Sequence, residues 1–464
     1  MNRTLLGVVA ATLLLGGCAV GPNYRRPQVA LPEQFRGAPA GETTSLGDTK
    51  WQELFSDAEL TRVVNLALEK NFDLRIAAQR VEGARAQLGV TRANQFPFLS
   101  LQSGFTGSRA SSLANPFVRP GTNLGVAFTS LGAALSWEAD LWGRLRRLTE
   151  SARAQYLASE EGKRAVRVSL VAEVMTAYLQ LLERDLELEI SRRTSGVADQ
   201  SIRLVGLRRG RGAASGLDVR QAEQLRYIAE AAVAGIERDI AQTENALSLL
   251  EGEVPAVQQR GRKLEQIAVP AALPAGSPAT MLARRPDIRQ AEANLMAANA
   301  QIGAARALYF PQISLSAFAG AQTKRLLDLA TAPARVYTVA PSAVQAIFNS
   351  GQIRSQVRFT EAQQRELLIN YQRTIYTALR EISDSLVGAD RTRAQREQQE
   401  NLVKTVAESV RLSELRYRGG LDSFLQVLDA QRNLFSAEIG LAQLRLQERL
   451  TVVQLYRALG GGWV

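Results

Sequence analysis

The chain contains one half-protein written twice. The run from Asp73-Leu74-Arg75 to Phe96-Pro97-Phe98-Leu99-Ser100-Leu101 matches, without a gap, the run from Asp287-Ile288-Arg289 to Phe310-Pro311-Gln312-Ile313-Ser314-Leu315, 214 positions later. Of the 29 positions from Asp73 to Leu101, 13 are identical in the second copy, among them Gln87/Gln301, Gly89/Gly303, Arg92/Arg306 and Pro97/Pro311. A second block recurs with a shift of 208. Ser201-Ile202-Arg203-Leu204 matches Ser409-Val410-Arg411-Leu412, and Gly212-Ala213-Ala214-Ser215-Gly216-Leu217 matches Gly420-Leu421-Asp422-Ser423-Phe424-Leu425. Solenoid units span roughly 20–50 residues, so this period is far too long for one. It reads as a duplicated half, and any function belongs on a surface that both halves build.

What the composition removes is as useful as what it supplies. The chain has no histidine, the commonest general base and metal ligand, and no cysteine cluster to bind a metal. Neither a cofactor site nor a catalytic constellation is expected, so the chain does not read as an enzyme. The formal charge of +11 comes mostly from arginine. Arginines alternating with glutamates along helical segments make solvated helix faces rather than a nucleic-acid surface. Glu160-Glu161 falls on such a face. Gly210, Gly212 and Gly216 superficially suggest a phosphate loop, but that chemistry needs a preceding strand, and the preceding segment is helical.

The single cysteine is placed where it carries information. Arg3 supplies a positive n-region, Leu5 to Leu15 a short apolar run, and Leu15-Gly16-Gly17-Cys18 a small-residue cleavage site. Such a run covers only about 20 Å as a helix, too short to cross a bilayer. The site resembles a bacterial lipobox, which implies removal of residues 1–17 and acylation of Cys18. The absence of Asp after that cysteine, where Ala19 stands, implies sorting to the outer membrane.

After a Pro-, Gly- and Thr-rich arm, helical apolar spacing runs from Trp51 to Arg92 and stops at Phe96-Pro97. Strand-like alternation follows at about 98–108 and 124–137, across a loop with Asn115-Pro116 and Pro120-Gly121. It recurs in the second half at about 312–322 and 335–347. Each strand pair precedes a very long helical pattern with three- and four-residue apolar steps, for example Val166, Leu170, Val174, Tyr178 and Leu181. Matched glycine clusters, Arg209 to Gly216 and Arg418 to Ser423, interrupt both patterns and mark turns, so each folds back as a helical hairpin. Val254 to Pro286, with five prolines, links the halves.

Four membrane-type strands cannot close a barrel, which takes at least about eight. Pooling two, three or four copies would give eight, twelve or sixteen. The long hairpins would then form a coaxial tube, and the geometry is that of a conduit.

The residues carry a specific resemblance to the outer membrane factor family, the TolC-like outer membrane efflux channels, and within it to the OprM/NodT-type lipoprotein branch. The similar stretches are Cys18-Ala19-Val20-Gly21-Pro22-Asn23-Tyr24, Leu282-Ala283-Arg284-Arg285-Pro286-Asp287-Ile288-Arg289-Gln290-Ala291-Glu292, and Leu459-Gly460-Gly461-Gly462-Trp463. The resemblance implies a mainly α fold with membrane β: duplicated helix–β-hairpin–helix halves in a homotrimer, whose twelve-stranded β-barrel continues into a long α-helical coiled-coil tunnel. It implies a signal peptide over 1–17 and an acylated, palmitate-bearing arm and start of the equatorial region over 18–60. The first repeat spans 61–253, an equatorial linker 254–283, and the second repeat 284–464. Also implied are the outer membrane as location, a periplasmic adaptor and an inner-membrane pump as partners, and passive export of drugs or other toxic small molecules.

The resemblance further implies a periplasmic gate at the second glycine interruption, where Leu425 and Asp429 narrow the aperture while Tyr417 and Arg432 tie neighbouring coils. Three copies of Asp429 would make a ring of like charge that favours cations. Read from the residues alone, Asp429 and Arg432 are rather an ordinary i,i+3 helix pair worth a few tenths of a kcal/mol. The competing architecture is a lipid-anchored periplasmic coiled-coil scaffold or adaptor without a membrane-spanning barrel, which would have no use for the four strands.

Overall fold

The structure is a computed structural model that describes residues 19–38, 44–111, 124–270 and 272–462. The signal segment, Cys18, the loop residues Asn115, Pro116, Pro120 and Gly121, and Trp463 lie outside the described residues.

The first repeat consists of α1 (Ala58–Lys70), α2 (Phe72–Ala93), β1 (Phe98–Arg109), β2 (Gly125–Ala139), α3 (Arg144–Gly210) and α4 (Gly216–Leu250). The second consists of α5 (Pro278–Arg284), α6 (Pro286–Ala307), β3 (Gln312–Thr323), β4 (Arg335–Val344), α7 (Gln352–Arg418) and α8 (Phe424–Ala458). The long helices begin and end 208 positions apart: α3 and α7 have 67 residues each, α4 and α8 have 35 each. Helix α3 holds an apolar window long enough to cross a membrane, but more than half of that window is buried inside the protein, so packing accounts for its apolarity.

The helical spacing from Trp51 to Arg92 is not one helix. It is a 3₁₀ turn over Trp51–Glu53, then α1 and α2, broken at Asn71. Asn71 Oδ1 accepts the amide of Leu74 at 3.0 Å, an N-terminal cap that asparagine makes well. Its Nδ2 donates to the Leu250 carbonyl, the end of α4, at 2.9 Å. The second repeat makes the same joint with a different residue: Arg285 donates to the Ala458 carbonyl, the end of α8, at 2.7 Å. Behind each joint sits a glycine in the left-handed region, Gly252 (φ +72°) and Gly460 (φ +76°), 208 positions apart. A Cβ on Gly252 would lie 2.5 Å from the Lys70 carbonyl oxygen, and one on Gly460 3.3 Å from the Arg285 Cα.

The linker between the repeats is pinned from both sides. Buried Asp57 caps α1 through the Leu60 amide (2.8 Å) and also accepts the Arg262 amide (2.8 Å). Buried Arg449 of α8 donates twice to the Ile267 carbonyl, at 3.1 and 2.6 Å.

The four strands form one antiparallel sheet in the order β1-β2-β3-β4. Shifting the first hairpin's register, Phe98↔Ser136, by 214 and 208 gives Gln312↔Val344, the register of the second. Between the hairpins, β2 pairs β3 from Ala139↔Ile313 to Thr129↔Thr323. Partners share parity, so odd-numbered residues lie on one face and even-numbered on the other. The odd face carries exposed Leu99, Leu101, Phe105, Leu131, Tyr337 and Val339. The even face carries Ser100, Gln102, Ser136, Ser316 and Thr338 along a shallow concavity, with exposed Phe98, Val126 and Val344 confined to the strand ends. Strand β4 stops at Val344, short of the expected 347, because its neighbour among the described residues, β3, begins at the partner residue Gln312. Both β1 and β4 are open edges.

Two compact units divide the chain, and each mixes the repeats. One holds the arm to Pro27, Val81–Ala158 and Ala291–Tyr371; the other holds Gln28–Arg80, Ser159–Gln290 and Gln372–Val464.

Candidate functional site: the hairpin turns

Both hairpin turns close with the same backbone motif. Gly212 (φ +77°) and Gly420 (φ +74°) occupy the left-handed position that ends α3 and α7. The Ala213 amide reaches back to the Arg208 carbonyl (2.8 Å) and the Leu421 amide to that of Arg416 (2.9 Å). This is the Schellman pattern, for which glycine is the least strained residue. The turns then diverge. Ser215 and Asp218 form a capping box on α4, whereas Ser423 makes no side-chain cap on α8, and Arg416 pairs with Asp422 at 2.5 Å instead. That guanidinium holds the Asp422 carboxyl below the usual range.

Beneath the turns lies a core shared by both hairpins: Ala198, Val205, Ala222, Leu225, Tyr417, Phe424, Val427 and Leu428 are all buried. Tyr417 is its centre. Its ring meets Phe424 edge-on at 5.4 Å, and the Arg208 guanidinium lies over it at 4.5 Å while donating to the Tyr417 carbonyl at 2.7 Å. The phenol is pushed up by burial, and its oxygen has no hydrogen-bond partner among the described residues.

The other gate candidates stand on the opposite side of α8. Leu425, Asp429 and Arg432, at i, i+4 and i+7, share one exposed face, while Phe424, Val427, Leu428 and Gln431 face the core. Among the described residues Asp429 and Arg432 make no ion pair, with each other or with any group. The i,i+3 pairing open to the residues alone is therefore not formed. The structure thus separates Tyr417, in the core, from Leu425, Asp429 and Arg432, on a face that this chain leaves uncovered.

Sequence reasoning missed Arg208, which holds Tyr417 from the other hairpin. The available signal was the broken repeat: Tyr417 aligns with Arg209 and Phe424 with Gly216, so the ring pair has no counterpart in the first half. It also missed a buried carboxyl pair in α3. Glu183 is pushed up to about 8, first by burial and then by its hydrogen bond to Glu187, itself buried and accepting from Gln443 of α8 at 3.0 Å.

The chain belongs to the outer membrane efflux protein family, whose sequence profile matches residues 63–253 and 278–461. It is similar to the solvent efflux pump outer membrane protein SrpC of Pseudomonas putida, with 38% identity over 98% of this chain and 97% of that protein. The probable outer membrane lipoprotein SilC of Salmonella typhimurium is 33% identical over the whole of both chains. Among solved structures, the open state of the Neisseria gonorrhoeae MtrE outer membrane channel superposes with a TM-score of 0.85, at 29% identity, covering 96% of this chain and 99% of that one. Fold and family together make this protein an outer-membrane efflux channel component, built from duplicated halves with long helices and a small membrane-type sheet.

Proposed function

We propose that three copies assemble into a closed conduit: a twelve-stranded barrel in the outer membrane, continuous with a periplasmic tunnel of helical hairpins. It passively passes small toxic molecules, received from an inner-membrane pump through a periplasmic adaptor. The observation that carries this reading is the sheet with two open edges and one apolar face. Lipid offers no hydrogen bonds, so such a sheet is stable in a bilayer only when its edges are paired. Two, three or four copies would close it, and the family resemblance selects three. Trp137 and Trp142, at one end of the sheet, bond the Gln95 and Pro311 carbonyls at 3.0 and 2.8 Å and suit the aromatic belt at a membrane boundary.

In this reading Cys18 is the acylated first residue of the mature protein. Its neighbour Ala19 lies against Gly143, where an added Cβ would fall 2.8 Å from the Ala19 Cα. That position adjoins Trp142, which supports an acyl anchor seated beside the sheet. Residues 18–60 form the arm and the start of an equatorial region, 61–253 and 284–464 the repeats, and 254–283 the equatorial linker.

The gate is assigned to the turn of the second hairpin. The exposed Leu425 and Asp429 narrow the aperture, and the exposed Arg432 reaches a neighbouring coil. Tyr417, buried beneath that face with no hydroxyl partner among the described residues, serves the gate by holding the two hairpins together through Phe424 and Arg208. A solvent or an antimicrobial compound suits the cargo class, given the solvent-efflux function in the name of SrpC. Single-channel recording on the purified protein in planar bilayers tests the conduit. Channel-free bilayers from a preparation that native mass spectrometry shows to be oligomeric would overturn it.

A further inference from the structure

Charge is laid out unevenly along the sheet, and its two ends are opposites. At the end that meets the helices, charged groups are paired within the chain: Glu138 with Arg144 at 2.6 Å, and Asp140 with Arg146 at 3.4 Å. The far end is cationic. Arg109 closes β1, Lys324 and Arg325 follow β3, and Arg335 opens β4. All four are exposed, and none forms an ion pair among the described residues. Asp328, the acid of the same loop, pairs with none of them.

The bias is written in the sequence. From Phe98 to Trp137 and from Gln312 to Ala346 there are five cations, the fifth being Arg119 outside the described residues, and one acid. The whole chain holds 56 of one sign and 45 of the other. Loop charge that served solubility alone would mix both signs, as the rest of the chain does. A one-sided cluster calls for an anionic partner.

The register places that partner. Arg109 and Arg335 are odd-numbered, so they belong to the apolar face with Leu99, Leu101, Phe105, Tyr337 and Val339, not to the face of Ser100 and Gln102. Ten residues of strand, from Leu99 to Arg109, run about 34 Å. At the tilt of membrane strands that is a height of about 26 Å, close to the thickness of a barrel's apolar band. Trp137, one residue beyond the Phe98↔Ser136 pair, marks the near margin of the band, so Arg109 falls at the far one. An outward cation is costly at the middle of a bilayer and tolerated at its margin. There a guanidinium can bind two phosphate oxygens at once through its planar fork. Leu326 and Leu327, 70% and 86% exposed, follow the cations directly. Apolar side chains next to cationic heads match acyl chains next to a charged headgroup.

We propose that Arg109, Lys324, Arg325 and Arg335 form a site for a phosphorylated lipid of the outer leaflet, the cations holding its headgroup phosphates and the two leucines lying against its acyl chains. This rests on the reading that the sheet spans the outer membrane, and deepens it: the inner margin is held by tryptophans and an acyl anchor, the outer margin by lipid phosphate.

Binding of diphosphorylated lipid A to the full-length, detergent-purified oligomer tests this, with the same lipid stripped of its phosphates for comparison. Each cation near an anionic lipid surface is worth roughly fivefold in affinity. Native mass spectrometry at fixed salt should therefore show wild type preferring the phosphorylated lipid by more than about tenfold. Arg109→Gln with Lys324→Gln, Arg325→Gln and Arg335→Gln should abolish the preference. Arg109→Lys with Arg325→Lys and Arg335→Lys, which keeps the charge, should retain most of it. Arg109→Gln and Arg335→Gln singly, each weakening binding several-fold, cover the case in which the fourfold variant does not assemble. Equal affinity of wild type for the two lipids would overturn the site, as would an undiminished preference in the glutamine variants. Displacement by inorganic phosphate at the lipid's own concentration would overturn it too, by revealing a plain anion contact. Planar-bilayer recording on the same preparation keeps the two readings apart. A conducting channel without the preference overturns this proposal alone, whereas phosphate-selective binding by an oligomer that never conducts overturns the conduit.

Discussion

Asn71 and Arg285 do one task 214 positions apart: each donates a side-chain N–H to the last helical carbonyl of its own hairpin, Leu250 and Ala458. The chemistry differs. Asn71 is neutral and caps α2 as well, while buried Arg285 also pairs with Asp287 at 2.7 Å and Glu381 at 2.9 Å. Removing the arginine leaves a buried carbonyl and two carboxylates without their cation. Arg285→Ala should therefore cost about 2–4 kcal/mol, against about 1–2 for Asn71→Ala. Chemical denaturation of the detergent-solubilised protein would rank them, and equal losses would contradict the ordering.

The glycines behind those joints should differ too. Alanine at either position is strained by its positive φ, at about 1–2 kcal/mol. Only at Gly252 does the new methyl also strike backbone, 2.5 Å from the Lys70 carbonyl oxygen. Gly252→Ala should lower the melting temperature clearly more than Gly460→Ala, as differential scanning fluorimetry would read.

Glu183 gives the protein an alkaline weakness. Its folded pKa, about 8, lies above the ordinary 4.5, so between those values the native state holds a proton that the unfolded state has lost. Stability should fall as pH rises through that window. Replacing Glu183 with Gln, which stays neutral, should flatten the decline between pH 5 and 8. A melting curve whose pH slope is the same in both proteins would place the titrating group elsewhere.

At the gate, stability and conductance should separate. The Tyr417 hydroxyl is buried without a partner among the described residues, so Tyr417→Phe should leave the fold as stable as before or slightly more so. Arg432→Ala, alone or combined with it, should raise single-channel conductance if the exposed Arg432 holds a neighbouring coil inward as proposed, and Tyr417→Phe should add little. Unchanged conductance in intact channels would move the constriction away from these residues.

Intact-mass analysis of the mature protein should show loss of residues 1–17 and added acyl mass on Cys18. A chain that keeps Met1 would end the lipid-anchor assignment.

The repeat, the four strands and the two hairpin turns were legible because each rests on local chemistry: alternation, three-and-four spacing, and glycine where φ must be positive. The break at Asn71 was not, since helical apolar spacing continues across it and only the distant Leu250 carbonyl makes the cap worthwhile. The contrast between α6, which has no exposed residue, and α2, which buries only Ala77, was not legible either. Gly89 and Gly303 are the same residue in the same local sequence, and burial is decided by what docks on them. At the hairpin turns the glycines announced themselves, but the packing of Tyr417 between Phe424 and Arg208 depends on two hairpins meeting and has no trace in either alone.

The arm finally settles a matter of counting. It threads along α6, with Arg147 donating to the Val20 carbonyl and Asn299 to that of Pro22, while Arg26 grips Glu292 with two short bonds. Two helices of like sequence thus count as one claimed and one open. The arm acts as an indexing key: among the described residues it marks α6, and α2 is left without such a cover.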